Sequence, residues 1–140
     1  MEYQKKSYKL FILWIVFLFV LLMAGGYLIS EFYPNISSSI LVKVEIMLIN
    51  IALLVLFYIM YKTESIYWIN GMSYNNAKSM SSEKRKKYAW EHLIMFLQGS
   101  IISLIYCIIS YFINIPAPID IIILTIVIIV SAIRTIPIKP

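Results

Sequence analysis

Polar side chains are scarce in this chain, so each one inside an apolar run is a candidate for chemistry. Asn50 stands near the middle of one run; Gln98, Gly99, Ser100, Ser103, Cys107 and Ser110 interrupt another. A polar group surrounded by hydrocarbon needs a partner, which makes these positions the default places to look. At about 1.5 Å per helical residue, Asn50 and Ser103 come to a similar depth. They are expected to hydrogen-bond and hold two helices together, a contact worth roughly 0.6–2 kcal/mol. The alternative is a polar permeation or substrate site. Gly99, Ser103 and Cys107 recur at every fourth position, and Ser110 follows on the same side. That small-residue stripe predicts a packed seam or a face that meets another protomer.

Other chemistries find little support. Glu31, Glu45 and Asp120 gather at one end of the apolar runs with Lys43, and carboxylates can hold a hard cation. One of them is expected to pair with Lys43, while Asp120, in the first turn of a helix, suits the positive end of its dipole; no metal set is assigned. His92, the single histidine, adjoins Glu91 at the edge of an apolar run. It reads as an interfacial residue, because no nucleophile at suitable spacing accompanies it. The chain contains no HExxH, GxSxG, P-loop or glycine-rich nucleotide fingerprint. Neither enzymatic activity nor a cofactor is expected. A single cysteine, Cys107, excludes an intramolecular disulfide and a CxxC site.

The elements that must position these residues are four long apolar stretches, about 10–29, 40–61, 93–113 and 119–136. A helix needs about 20 mostly apolar residues to cross the hydrocarbon of a bilayer. With 61% hydrophobic and 14% charged residues in 140, the composition departs from that of water-soluble domains. The reading is an all-α polytopic membrane protein of one domain, with four transmembrane helices arranged as two antiparallel hairpins. No sizeable water-soluble core is expected from the remainder. A cleaved signal peptide is not expected either, since the first run is too long for one. Gly26-x-x-x-Ser30 permits close helix approach in the first span. The fourth, almost wholly Ile, Leu and Val, is expected to be the most lipid-exposed.

Charge orients the bundle. Eleven of the twelve Lys and Arg residues lie before the first span, between the second and third, or after the fourth; only Lys43 lies on the other side. By the positive-inside tendency both termini and the 62–92 loop are cytoplasmic. The net charge of +5 then faces anionic lipid, and no nucleic-acid partner is needed to explain it. Tyr8, Tyr58, Tyr61, Tyr88 and Trp90 mark the inner boundary; Tyr27, Tyr33 and Tyr111 mark the outer one.

Within the loop, Ser73 can cap a short helix, and Ser81 or Ser82 a second that runs into the third span without a break. The segment Met80-Ser81-Ser82-Glu83-Lys84-Arg85-Lys86-Lys87-Tyr88 resembles a cytoplasmic loop motif of small bacterial membrane proteins. These are the immunity protein of the sporulation-delaying toxin and its relatives. Met80, Ser81, Glu83, Arg85, Lys87 and Tyr88 match that pattern, whereas Lys78 and Ala89 replace its Asn and Asp. The resemblance implies a low-GC Gram-positive source and a role in toxin immunity or signalling. It also makes Met80, Glu83, Arg85, Lys87 and Tyr88 candidate docking residues, against the plainer reading of a membrane-hugging connector.

Together these readings favour a non-enzymatic integral protein of the bacterial cytoplasmic membrane. It is expected to be an immunity, accessory or regulatory subunit whose partners are the bilayer and another membrane protein or peptide, or a second copy of itself. A small transporter or channel formed by oligomerisation is the alternative.

Overall fold

A computed structural model describes residues 3–69 and 71–139. The described chain is all-α: α1 (Lys9–Phe32), α2 (Ser38–Thr63), α3 (Tyr74–Ser79), α4 (Ser82–Phe112) and α5 (Ala117–Thr135), with a 3-10 turn at Ile66–Trp68 between α2 and α3. Four of these helices, α1, α2, α4 and α5, are long and apolar enough to cross a membrane. Continuous apolar sequence suits helices in lipid because every backbone polar group is satisfied within the segment.

The helix boundaries follow local chemistry. Ser37, Ser73 and Ser81 each accept a hydrogen bond from a backbone N–H three residues on, which starts α2, α3 and α4. Ser81, not Ser82, caps α4, which then runs unbroken through Trp90 and His92 to Phe112. At 31 residues and about 1.5 Å each, α4 is much longer than a bilayer crossing requires, so its first turns extend beyond the apolar part. Glu64 ends α2 in the left-handed region at φ 56°. Pro116 precedes α5 and Pro118 lies in its first turn, where a missing N–H costs nothing.

Short connections at 33–37 and 113–116 make α1–α2 and α4–α5 hairpins. Helix α2 packs against α4 and α5 as well as α1, so α2, α4 and α5 form the core. Helix α1 leans on α2 and buries none of its own residues. The expectation that the fourth span is the most exposed is therefore corrected. Asp120, Leu124 and Ser131 of α5 are buried; at spacings of four and seven they share one face, turned to the core. Exposure is greatest on α1, where Met23, Phe32 and Tyr27 are outermost.

The segment between the hairpins carries the serine-capped helices expected of it, α3 and the start of α4. It folds into a small aromatic core of Ile66, Tyr67, Met72, Ala77, Tyr88 and Ala89, against which Tyr3, Tyr74 and Ile138 pack. The N-terminal segment is stitched across it. Tyr67 Oη donates to Ser7 O (2.8 Å), Tyr74 Oη to Gln4 O (2.8 Å) and Tyr3 Oη to Glu64 O (2.9 Å). Tyrosines build a core in so short a segment because each ring buries a large area while its hydroxyl finds a backbone acceptor.

Candidate functional site

A buried polar cluster lies at the end of the bundle opposite the termini. Three helices each contribute groups to it: Ser39 and Lys43 from α2, Tyr106 and Ser110 from α4, and Asp120 from the first turn of α5. Both helical pairs are spaced i, i+4 and so stand one above the other on a single face. Lys43 Nζ lies 2.6 Å from Asp120 Oδ2, with Lys43 nearly and Asp120 wholly buried. Tyr106 Oη donates to the other carboxylate oxygen at 2.9 Å and Ser110 Oγ at 2.5 Å. Ser39 Oγ stands 3.2 Å from Oδ2 and accepts from Lys43 Nζ.

Counting from the start of α2, Lys43 is roughly 7 Å along the helix. The pair therefore sits inside the apolar part of the bundle. Desolvating two such ions is costly, and the attraction offsets this only where further hydrogen bonds satisfy the remaining lone pairs. Here both Asp120 oxygens are satisfied. The cluster clamps three helices. Among the described residues, no three His, Cys, Asp or Glu side chains stand close enough to hold a metal ion. The expectation for this end is refined: the carboxylate that pairs with Lys43 and the one at the helix terminus are the same residue. Glu45 is left without an ion pair among the described residues. It lies at the α1–α2 seam, where its Oε1 is 3.0 Å from the position a Cβ on Gly26 would take.

Asn50 faces the core, 4% exposed, but its partner is Ser100, whose Oγ donates to Asn50 Oδ1 at 3.3 Å. This corrects the pairing with Ser103. Depth along two helices does not specify rotation about their axes, and the α2–α4 contact selects the serine nearly one turn earlier. Asn50 Nδ2 donates to Ile46 O of its own helix (2.9 Å). Ser103 is fully buried, with no hydrogen-bond partner for its Oγ among the described residues.

Gly99, Ser103, Cys107 and Ser110 all lie on the buried side of α4. A Cβ on Gly99 would lie 3.2 Å from Ser131 Cβ and collide with its Oγ, so the α4–α5 seam is closed by backbone against a hydroxymethyl group. Cys107 and Lys43 border an apolar groove of about 430 Å³ between α2 and α4. Gln98 faces outward beside Leu97 and Ile101.

The loop candidates divide into two groups. Glu83 and Lys87 are exposed, whereas Arg85 and Tyr88 are buried and Met80 is half-buried. Arg85 Nε donates to Glu64 Oε2 at 2.7 Å, and its guanidinium lies 4.3 Å above the Tyr3 ring. Its Nη1 donates to Ala77 O and Met80 O. Arg85 thus ties the end of α2, the turn before α4 and the N-terminal segment into one unit. Burial alone would raise the Glu64 pKa; hydrogen bonds from Ser82 and Arg85, and the charges of Arg85 and Lys86, outweigh it and hold the carboxyl below its usual value. The Tyr3 phenol is pushed up to about 12, chiefly by burial and then by Tyr67.

His92, expected at the inner boundary, is 2% exposed within the protein, its ring tilted against those of Tyr88 and Phe57, with Nδ1 2.9 Å from Tyr88 O.

Two ion pairs therefore organise the molecule, and both escape a reading by runs and motifs. Lys43 and Asp120 are 77 positions apart, and Glu64 and Arg85 meet through a turn with no sequence signature. A usable hint existed in Tyr106 and Ser110, two hydroxyls one turn apart just before the hairpin that carries Asp120. No protein-family model, curated protein or solved structure matches the chain.

Proposed function

We propose that the chain is a multi-pass membrane protein with both termini cytoplasmic. In this reading it acts without catalysis, as an immunity, accessory or regulatory subunit that binds another protein or peptide within the membrane. One observation carries the reading: α1 is a 24-residue apolar helix with no buried residue, resting on an otherwise closed α2–α4–α5 core. A helix so weakly engaged by its own chain has its whole outer face free for a partner helix. The unpaired Glu45 at its seam adds a point of attraction for a cationic one. The polar groups of the core point away from catalysis, since Lys43 and Asp120, and Arg85 and Glu64, occupy one another.

Photo-crosslinking side chains at Phe17 and Met23 of α1, and at Ile122 of α5, test this in cells. The α1 positions are expected to yield a discrete adduct with a second, different polypeptide, and Glu45→Gln is expected to weaken it. Equal labelling from α1 and α5, or labelling of lipid alone, overturns the reading.

Gln98 favours the second reading, an oligomeric transporter or channel. Its amide is exposed on the apolar flank of α4 with no hydrogen-bond partner among the described residues, and interhelical amides hold membrane helices together. Loss of a crosslinked dimer on Gln98→Leu would support it.

A further inference from the structure

At the end of the bundle that carries the termini, a cavity of about 680 Å³ lies between α4, the end of α5 and the segment folded over them. Its walls include Met72, Tyr88, His92, Ile129, Ile133 and Ile136. The volume falls within the range of small-molecule sites, roughly 300–1,000 Å³. It is more enclosed than the groove beside Lys43. Although the surrounding loop is rich in lysine, no charged side chain lines the cavity among the described residues. An anionic headgroup would find no counter-charge in it.

Two polar groups meet the cavity from consecutive turns of α4. Tyr88 is 7% exposed and His92 2%. Neither the Tyr88 hydroxyl nor His92 Nε2 has a hydrogen-bond partner among the described residues. A backbone carbonyl can only accept, so the contact between His92 Nδ1 and Tyr88 O places the proton of the neutral ring on Nδ1. Nε2 is then a bare acceptor, and the phenol beside it can donate or accept. Neither atom is sealed in the core, and both residues line the open space of the cavity. A ligand with a hydroxyl on an apolar body satisfies both, its hydroxyl donating to Nε2 and accepting from the phenol. Ile129, Ile133 and Ile136 form an apolar wall along α5 and the residue after it for the rest of such a molecule.

We propose that this cavity binds an uncharged, hydroxyl-bearing amphiphile, a neutral glyceride drawn from the adjoining leaflet. The site is separate from the α1 face, so it stands whether or not a partner binds there.

The experiment titrates the purified full-length protein in detergent with three oleoyl probes, read by native mass spectrometry. 1-Monooleoylglycerol carries hydroxyls and no charge, methyl oleate has no donor, and oleoyl-lysophosphatidylglycerol is anionic. One monooleoylglycerol is expected to bind per chain, about tenfold tighter than methyl oleate, as one to two net hydrogen bonds imply. His92→Phe and Tyr88→Phe, which keep the rings, are expected to reduce it to the level of methyl oleate. Ala132, which also lines the cavity, is otherwise exposed, so Ala132→Phe fills the space without entering the core and is expected to abolish binding at an unchanged melting temperature. Equal affinity for monooleoylglycerol and methyl oleate, preference for the anionic probe, or full binding by folded Ala132→Phe overturns the proposal.

Discussion

Removing one member of the Lys43–Asp120 pair strands its partner, with that partner's hydrogen-bond companions, inside the bundle. Lys43→Met alone and Asp120→Leu alone are each expected to lower stability by about 3–5 kcal/mol, and the double variant by less than either, because it leaves no uncompensated charge. Thermal melting of the three proteins in one detergent checks this. A double variant as unstable as the sum of the singles would show that the two residues act separately. The Glu64–Arg85 contact makes a different prediction, one of pH. Folded Glu64 holds its proton less tightly than unfolded Glu64, so its contribution is complete above the ordinary value of 4.5 and is lost as pH falls through the lower folded value. Melting followed from pH 7 downward should show this acid loss, and Glu64→Gln should flatten it. Tyr3 has the opposite sign. Its raised value of about 12 gives stability that is full below the ordinary 10 and disappears as pH rises toward 12.

Among the elements, α4 carries the most of the design. One end stands in the aromatic cap through Arg85 and Tyr88, the middle meets α2 at Asn50–Ser100, and the far end reaches Asp120 through Tyr106 and Ser110. Its seam with α5 depends on Gly99, where an added methyl would meet Ser131. Gly99→Ala is expected to cost about 1–3 kcal/mol by overpacking. Ser131→Ala added to it removes the hydroxyl that collides and should recover part of that loss. Melting temperatures of the single and double variants decide the matter; an unchanged Gly99→Ala protein would mean that the two helices are not in contact there. Helix α1 is the converse case: Phe11 and Trp14 pack on α2, and its own chain leaves the outer apolar face uncovered.

For the whole molecule, the proposed orientation rests on its unequal ends. The end with the termini holds the aromatic cap and eleven of the twelve basic residues; the other holds the buried Lys43–Asp120 pair, whose charges cancel. Cysteine-accessibility labelling in cells, with single cysteines in a Cys107→Ser background, is expected to find positions 6 and 84 shielded from an impermeant reagent and positions 37 and 117 open to it. Labelling at position 6 or 84 in intact cells would reverse or dismantle the proposed topology. The small aromatic cap should also resist protease in membranes opened to the cytoplasmic side, and Tyr67→Ala should make the 62–92 segment cleavable.

Four long helices, two hairpins, serine-capped starts at Ser73 and Ser81, and the stripe from Gly99 to Ser110 were legible in the sequence alone. Apolar length and capping are local properties, set by neighbours along the chain. Tertiary structure alone decided what each polar residue meets. Asn50 pairs with Ser100 and not Ser103 because rotation about a helix axis is fixed only by packing against another helix. Lys43 finds Asp120 across 77 positions, and Arg85 turns from a basic surface run into the interior to reach Glu64. The same holds for exposure: α1 and α5 are both apolar throughout, and only the contacts of α2 and α4 select α5 for the core. Hydrophobicity specifies that a helix leaves water, and three-dimensional complementarity specifies whether it meets lipid or protein.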